Sequence, residues 1–215
     1  MEHISLIDRY KYARYNFFKW RYDSPLLYKI LLAFSLACLT GLGAQVRVYL
    51  PFTPVPITAQ VFFVLLSGVV LGKWFGGLTQ GMYVGIGCVG MPWFADWKGG
   101  TSVVLGATGG YLIGFIISAL IIGWFVDNYI RARTITCLFP LMLLGVGIIY
   151  FLGALQLSFV LKTNFHETMI KGVIPFIAGD IVKIGVASVV GKAITPKIAY
   201  NGEADVEKMK KWKLP

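Results

Sequence analysis

Six apolar runs, each close to the ~20 residues a helix needs to cross a bilayer, govern what this chain can fold into. They lie at about Leu26–Val46, Ile57–Gly72, Phe75–Gly90, Gly109–Val126, Thr136–Leu161 and Val173–Ile194. In hydrocarbon every backbone N–H and C=O must be satisfied within the protein, so runs of this length predict helices. Charged residues make up only 14% of the chain, against about 25% in a soluble domain. The expected fold class is therefore an all-α integral membrane protein with six transmembrane helices in one compact domain. The second and third runs are short and glycine-rich, which predicts tilted spans or segments dipping into the protein interior. Ser24-Pro25 marks the start of the first run, and Pro175 suits the first turn of the last.

The net charge of +10 invites a nucleic-acid reading, but the basic residues sit at the two ends and in short connections, which is a topology signal and a contact with membrane lipids. With the N-terminus inside, 15 Lys and Arg fall on the inner side and 4 (Arg47, Lys98, Lys162 and Lys171) on the outer, with Lys183 inside a span. The expectation is a multi-pass protein of the cell membrane with both termini cytoplasmic and no nucleic-acid partner. The first long run begins only near Leu26, after a charged segment, which does not fit a cleavable signal peptide. Residues 1–24 alternate Arg9, Lys11, Arg14, Lys19 and Arg21 with Tyr10, Tyr12, Tyr15, Phe17, Phe18, Trp20 and Tyr22. That mixture suits a segment lying in the membrane interface; an unstructured basic tail is the other reading. Residues 25–196 form the membrane domain, and 197–215 read as a charged, loosely ordered cytoplasmic tail.

The chemistry concentrates in the last run, where Asp180 and Lys183 share a helix face. Charges within a span are costly and face a bundle interior or a cavity. Two readings fit: an ion pair joining helices, or the floor of a polar-ligand site. Three prolines in Arg47–Pro56 make a stiff connection, either a plain turn or a pocket wall. Gln60 follows, as helix glue or as a ligand group. The connection Met91–Gly110 carries Trp93, Phe94, Trp97, Lys98 and several glycines. An interfacial Trp belt explains its tryptophans; a ligand-binding loop explains its glycines as well. Ala33, Ala37 and Gly41 form a small-residue stripe on the first run, as Gly81 and Gly85 do on the third, fitted to packing within the chain or to a partner helix. Cys38, Cys88 and Cys137 are isolated and suggest core packing, and His3 and His166 suggest no metal site. Walker A, His-Glu-x-x-His and Gly-x-Ser-x-Gly patterns are absent from the sequence.

Four stretches carry a resemblance: Pro54-Val-Pro-Ile-Thr-Ala-Gln60, Gly90-Met-Pro-Trp-Phe-Ala95, Gly106-Ala-Thr-Gly-Gly-Tyr111 and Pro175-Phe-Ile-Ala-Gly-Asp-Ile-Val-Lys183. In this order they resemble the BioY family, the biotin-specific substrate-binding (S) components of energy-coupling-factor (ECF) transporters. Where the family reads Gly-Pro-Thr-Gly-Gly-Tyr, this chain has Ala107 at the proline position. The resemblance implies the six-helix S-component fold, biotin bound at the outer face, no cofactor, and docking onto a membrane-embedded T component driven by two cytoplasmic ATPases. It places that docking on Ala33, Ala37 and Gly41. Biotin's ureido group would then meet Asp180 and Lys183. Gln60, Tyr83, Trp93, Phe94, Trp97, Thr108, Gly109, Gly110 and Tyr111 would supply the walls. Lys98, with Arg47 as competitor, would meet the carboxylate. An S component for another vitamin and a membrane enzyme using Asp180 and Lys183 as an acid–base pair are the alternative readings.

Overall fold

The computed structural model describes residues 6–209. His3 and the lysines Lys210, Lys211 and Lys213 lie outside the described residues. The chain is helical: α1 (Leu6–Asp23), α2 (Leu26–Gln45), α3 (Gln60–Cys88), α4 (Thr101–Leu105), α5 (Gly109–Asn128), α6 (Ile135–Leu161), α7 (Phe165–Gly172) and α8 (Ile174–Ile194). The Pro-rich connection is framed by a two-residue antiparallel ladder, β1 (Arg47–Val48) with β2 (Ile57–Thr58). Among the described residues five helices, α2, α3, α5, α6 and α8, are long and apolar enough to cross a membrane.

The expected second and third spans are the two arms of α3, which folds back at Gly72 (φ 74°, ψ −168°). Only glycine adopts that backbone without strain. The reversal is visible in side-chain pairs. Gln60 Nε2 donates to Tyr83 Oη at 2.8 Å, and Gln80 Nε2 to Ser67 Oγ at 3.0 Å; a straight helix would hold these residues roughly 35 Å and 20 Å apart. The arms, 60–71 and 73–88, rise only about 18 Å and 24 Å, less than the ~30 Å hydrocarbon core.

Asp127 at the end of α5 fixes the reversal. Its Oδ2 accepts from the Lys73 amide at 2.8 Å, and a Cβ on Gly72 would lie 2.1 Å from that oxygen. The arms of α3 pack mainly on α5, and α2 packs on α3 in turn. Val64, Leu65, Val69, Ile122, Leu138, Met142 and Ile149 form the shared core. The stripe Ala33, Ala37 and Gly41 is buried within this packing, with Trp93 lying over Gly41. The expectation that the stripe offers a free docking face is therefore corrected: the chain's own residues cover it. Gly85 is exposed and open, and Gly81 is open as well. Cys38 and Cys88 are half-buried against the core, whereas Cys137 is exposed, against the core role expected of it.

At the end carrying both termini, the buried charges Arg21, Arg133, Glu203 and Asp205 are each answered by an ion pair or by backbone hydrogen bonds. Arg21 donates to the Val70 carbonyl (2.7 Å), Asp127 (3.3 Å) and the Tyr200 hydroxyl (3.1 Å). Arg133 pairs with Glu203 at 2.5 Å, both side chains fully buried, and its guanidinium lies 4.5 Å from the Tyr200 ring centroid. Asp205 accepts from the Ile130 and Arg131 amides at 2.7 and 2.9 Å. The expectation of a loosely ordered tail is thus overturned for residues 201–207: their carboxylates neutralise and cap the turn between α5 and α6. From Leu6 to Asp23 the N-terminal segment is a helix rather than an unstructured tail. Its Arg14 and Tyr10 donate to the Ala193 carbonyl at the end of α8, and Phe18 is buried.

Removing one partner of a fully buried ion pair strands the other charge. Glu203→Ala should therefore lower unfolding stability in detergent by about 3–5 kcal/mol. Glu167→Ala breaks only the exposed 3.8 Å pair with Lys171 and should cost about 0–1 kcal/mol. Equal shifts in the melting midpoint would contradict this difference.

Candidate functional site

A cavity of about 900 Å³, counting its open mouth, lies at the end opposite the termini. The Pro-rich connection, the loop before α4, and helices α3, α5, α6 and α8 enclose it.

The floor is polar and buried. Asp180 Oδ1 accepts from Lys183 Nζ at 2.7 Å, and Oδ2 accepts from the Tyr150 hydroxyl at 2.6 Å. Helical spacing brings Asp180 and Lys183 together, while Tyr150 arrives from α6. A carboxylate accepts about four hydrogen bonds and an ammonium donates three. These groups therefore keep capacity toward the cavity, and one small group carrying both N–H donors and a carbonyl could engage Asp180 and Lys183 together.

The walls follow from the two arms of α3. Gln60 faces the cavity with its amide held by Thr58 Oγ1 (3.0 Å) and Tyr83 Oη (2.8 Å). Phe94 stands perpendicular to Tyr83 at 5.3 Å between centroids and fits over Gly87. Tyr111 lines the cavity and donates to the Gly172 carbonyl at 2.7 Å, tying α5 to α7. Thr53 Oγ1 donates to the Lys171 carbonyl at 2.6 Å, so the Pro-rich wall is fixed to α7 as well.

The mouth carries Tyr49, Asp96 and Lys98. Asp96 pairs with Arg47 Nε at 2.9 Å and Lys98 Nζ at 3.2 Å. The Tyr49 hydroxyl bond first, then Lys98 and Arg47, hold the Asp96 carboxyl below its ordinary value. A depressed carboxyl keeps its pairing above the ordinary range and loses it only as pH falls through the lowered value. Asp96 and Trp97 both have left-handed backbones (φ 66° and 55°), tolerable for Asp and costly for Trp.

Of the residues expected at a site, Gln60, Tyr83, Phe94, Lys98, Thr108, Tyr111, Asp180 and Lys183 line this cavity. Trp93 and Trp97 do not. Trp93 is buried behind Tyr83, donating to its carbonyl at 2.9 Å, and Trp97 is 60% exposed. Gly109 and Gly110 are also displaced from the expected role. A Cβ on Gly109 would meet the Val104 carbonyl at 1.7 Å and one on Gly110 the Leu152 carbonyl at 2.1 Å, so these glycines admit neighbouring backbone, and neither lines the cavity. Arg47 does not line the cavity and reaches its mouth through Asp96 and Tyr49. Sequence reasoning missed Tyr150, Tyr49 and Asp96, together with the apolar Phe115, Ile149 and Phe176. A hydroxyl inside the fifth apolar run was the available signal for Tyr150.

Helical spans around a cavity with a charged floor define a polytopic membrane protein with room for a small molecule. Comparison with known proteins makes the family specific. The BioY family profile matches residues 16–200. A "Probable biotin transporter BioY" of Methanothermobacter thermautotrophicus is 48% identical over 157 residues, 70% of this chain and 100% of that protein. The "Biotin transporter BioY" of Thermotoga maritima is 38% identical, covering 75% of this chain and 92% of its own length. The crystal structure of an S-component for biotin from an ECF-type ABC transporter superposes with TM-score 0.71 at 24% identity, covering 77% of this chain and 89% of that one. This chain belongs to the BioY family.

Lys183→Met would leave buried Asp180 without its counter-charge and should destabilise the protein by about 3 kcal/mol. Adding Asp180→Asn should recover part of that loss. A double-mutant cycle in detergent with no coupling would show that the two groups do not act as a pair.

Proposed function

We propose that this protein binds biotin in the cavity above Asp180 and serves as the S component of an ECF-type transporter. It performs no chemistry itself: a T component and two cytoplasmic ATPases supply the energy. The observation that carries the reading is a buried carboxylate, Asp180, paired with the half-buried Lys183 ammonium at the floor of a largely aromatic and apolar cavity. Biotin's ureido ring has two N–H donors and one carbonyl; Asp180 accepts from the ring and Lys183 donates to it. Tyr150 holds the other Asp180 oxygen, so the carboxylate is oriented before the ligand arrives. Tyr83, Phe94, Tyr111, Phe115 and Phe176 contact the thioether ring and aliphatic tail. Gln60 and Thr108 add polar contacts along the wall.

The mouth suits a monoanion. Two cations, Arg47 and Lys98, face one carboxylate, Asp96, leaving a single positive charge for the valerate group. Lys98 lines the cavity and makes that contact, while Arg47 holds Asp96. Counting the arms of α3 separately, six helical arms are embedded in the membrane. The basic end, with both termini, faces the cytoplasm and the cavity faces outward. Support for this reading comes from the curated relatives named for biotin transport and from the fold shared with the biotin S-component.

Calorimetry on the purified protein in nanodiscs tests the site. Asp180→Asn should weaken biotin binding about ten- to a hundred-fold while the protein stays folded; unchanged affinity would make the pair purely structural. Asp96→Asn should do the opposite. Asparagine keeps the left-handed backbone, frees Lys98 and should tighten biotin about two- to fivefold. Biotinamide, which lacks the carboxylate, should be unaffected. A matching gain for biotinamide would remove the carboxylate from the mouth.

A further inference from the structure

A second cavity, of about 520 Å³, opens at the end carrying the termini and belongs to none of the residues of the biotin site. Arg21, Tyr22, Lys29, Leu71, Trp74, Phe75, Asp127 and Asn201 line it. Arg21 is matched by Asp127 at 3.3 Å, so that pair contributes no net charge. Lys29 is different. Its ammonium donates to the Tyr22 carbonyl at 2.7 Å and lies 5.9 Å from the centroids of the Tyr22 and Phe75 rings. Among the described residues no carboxylate pairs with it. Two of its three N–H donors remain available. Asn201 also lines the cavity, and its Oδ1 is buried with no hydrogen-bond donor among the described residues. A buried polar atom without a partner is costly, and native structures rarely leave one so.

The cavity therefore offers one net positive charge and one unused acceptor, between aromatic walls. Trp74 is 69% exposed and Tyr22 nearly half exposed, the disposition of side chains at headgroup depth. The exposed apolar side chains Leu26, Leu27 and Leu78 stand within four residues of the lining positions, where acyl chains would run. We propose that this cavity binds the phosphoglycerol headgroup of an anionic phospholipid, its phosphate on Lys29 and a glycerol hydroxyl donating to Asn201. A choline headgroup lacks that hydroxyl, and its own cation offsets the phosphate charge. The bound lipid would brace the junction of α1, the reversal of α3 and the end of α5.

Native mass spectrometry of the full-length protein in detergent tests this, with short-chain phosphatidylglycerol and phosphatidylcholine added in parallel. Wild type should retain one phosphatidylglycerol with about fivefold preference, the effect of one cation near a lipid surface. Lys29→Gln should abolish the preference. Asn201→Asp, which preserves shape and adds a negative charge, should abolish it independently, and unchanged melting midpoints would establish that both variants are folded. Equal retention of the two lipids by wild type, or a preference that survives Lys29→Gln, overturns the proposal. A third arm uses sn-glycerol 3-phosphate. If the soluble ester displaces phosphatidylglycerol at equal concentration, the site belongs to free phosphoesters and the lipid assignment fails.

Discussion

The fold depends on one carboxylate meeting one glycine. Uninterrupted, the 29 residues of α3 would make a rod about 43 Å long. Asp127 receives the Lys73 amide where Gly72 reverses the chain, and the rod becomes a hairpin. Only after this reversal does Gln60 stand beside Tyr83 and Ser67 beside Gln80. The cavity wall is thus a product of an event at the far end of the molecule. Arg21 completes the arrangement by neutralising Asp127 and drawing α1 onto the same point. A carboxylate in an apolar setting is tolerable only because a backbone amide and a guanidinium both answer it.

Much of this was legible in the sequence, because bilayer physics leaves few options. Run length predicted helices, and helical spacing placed Asp180 and Lys183 on one face. The spacing said nothing of Tyr150, whose approach depends on how α6 crosses α8. Glycine carried the least local information. Gly72, Gly87 and Gly110 look alike in sequence, yet one reverses a helix, one sits under a phenylalanine ring and one admits a neighbouring backbone. Their roles are set by the atoms opposite, and no local pattern reports those. The same holds for the aromatics of the loop before α4. Phe94 enters the cavity and Trp93, beside it, braces the wall from behind. The small-residue stripe of α2 shows the limit most plainly: its spacing permits close approach of some helix, and the structure shows that the chain supplies the covering itself.

The two ends of the molecule handle charge differently. At the end with the termini, Arg133 and Glu203 are sealed together and the Tyr200 hydroxyl is pushed up chiefly by its burial. At the cavity end, Asp180, Lys183, Asp96 and Lys98 are paired but retain hydrogen-bonding capacity toward the cavity. Sealed pairs fix shape; pairs with spare donors and acceptors can be shared with a guest. The stiff Pro-rich wall, tied to α7 through Thr53, holds the cavity open between these two regimes.

The pairing of Arg133 with Glu203 also sets a schedule for biogenesis. The two residues are seventy apart in the chain. At ordinary translation rates of about 5–20 residues per second, the arginine waits roughly 4–14 seconds for its partner. During that interval the guanidinium has no Glu203 carboxylate to receive it and, of its folded partners, only the nearby Val126 carbonyl has been made. Closure of this end is a late event, made once the segment beyond α8 has emerged and folded back onto helices already in place.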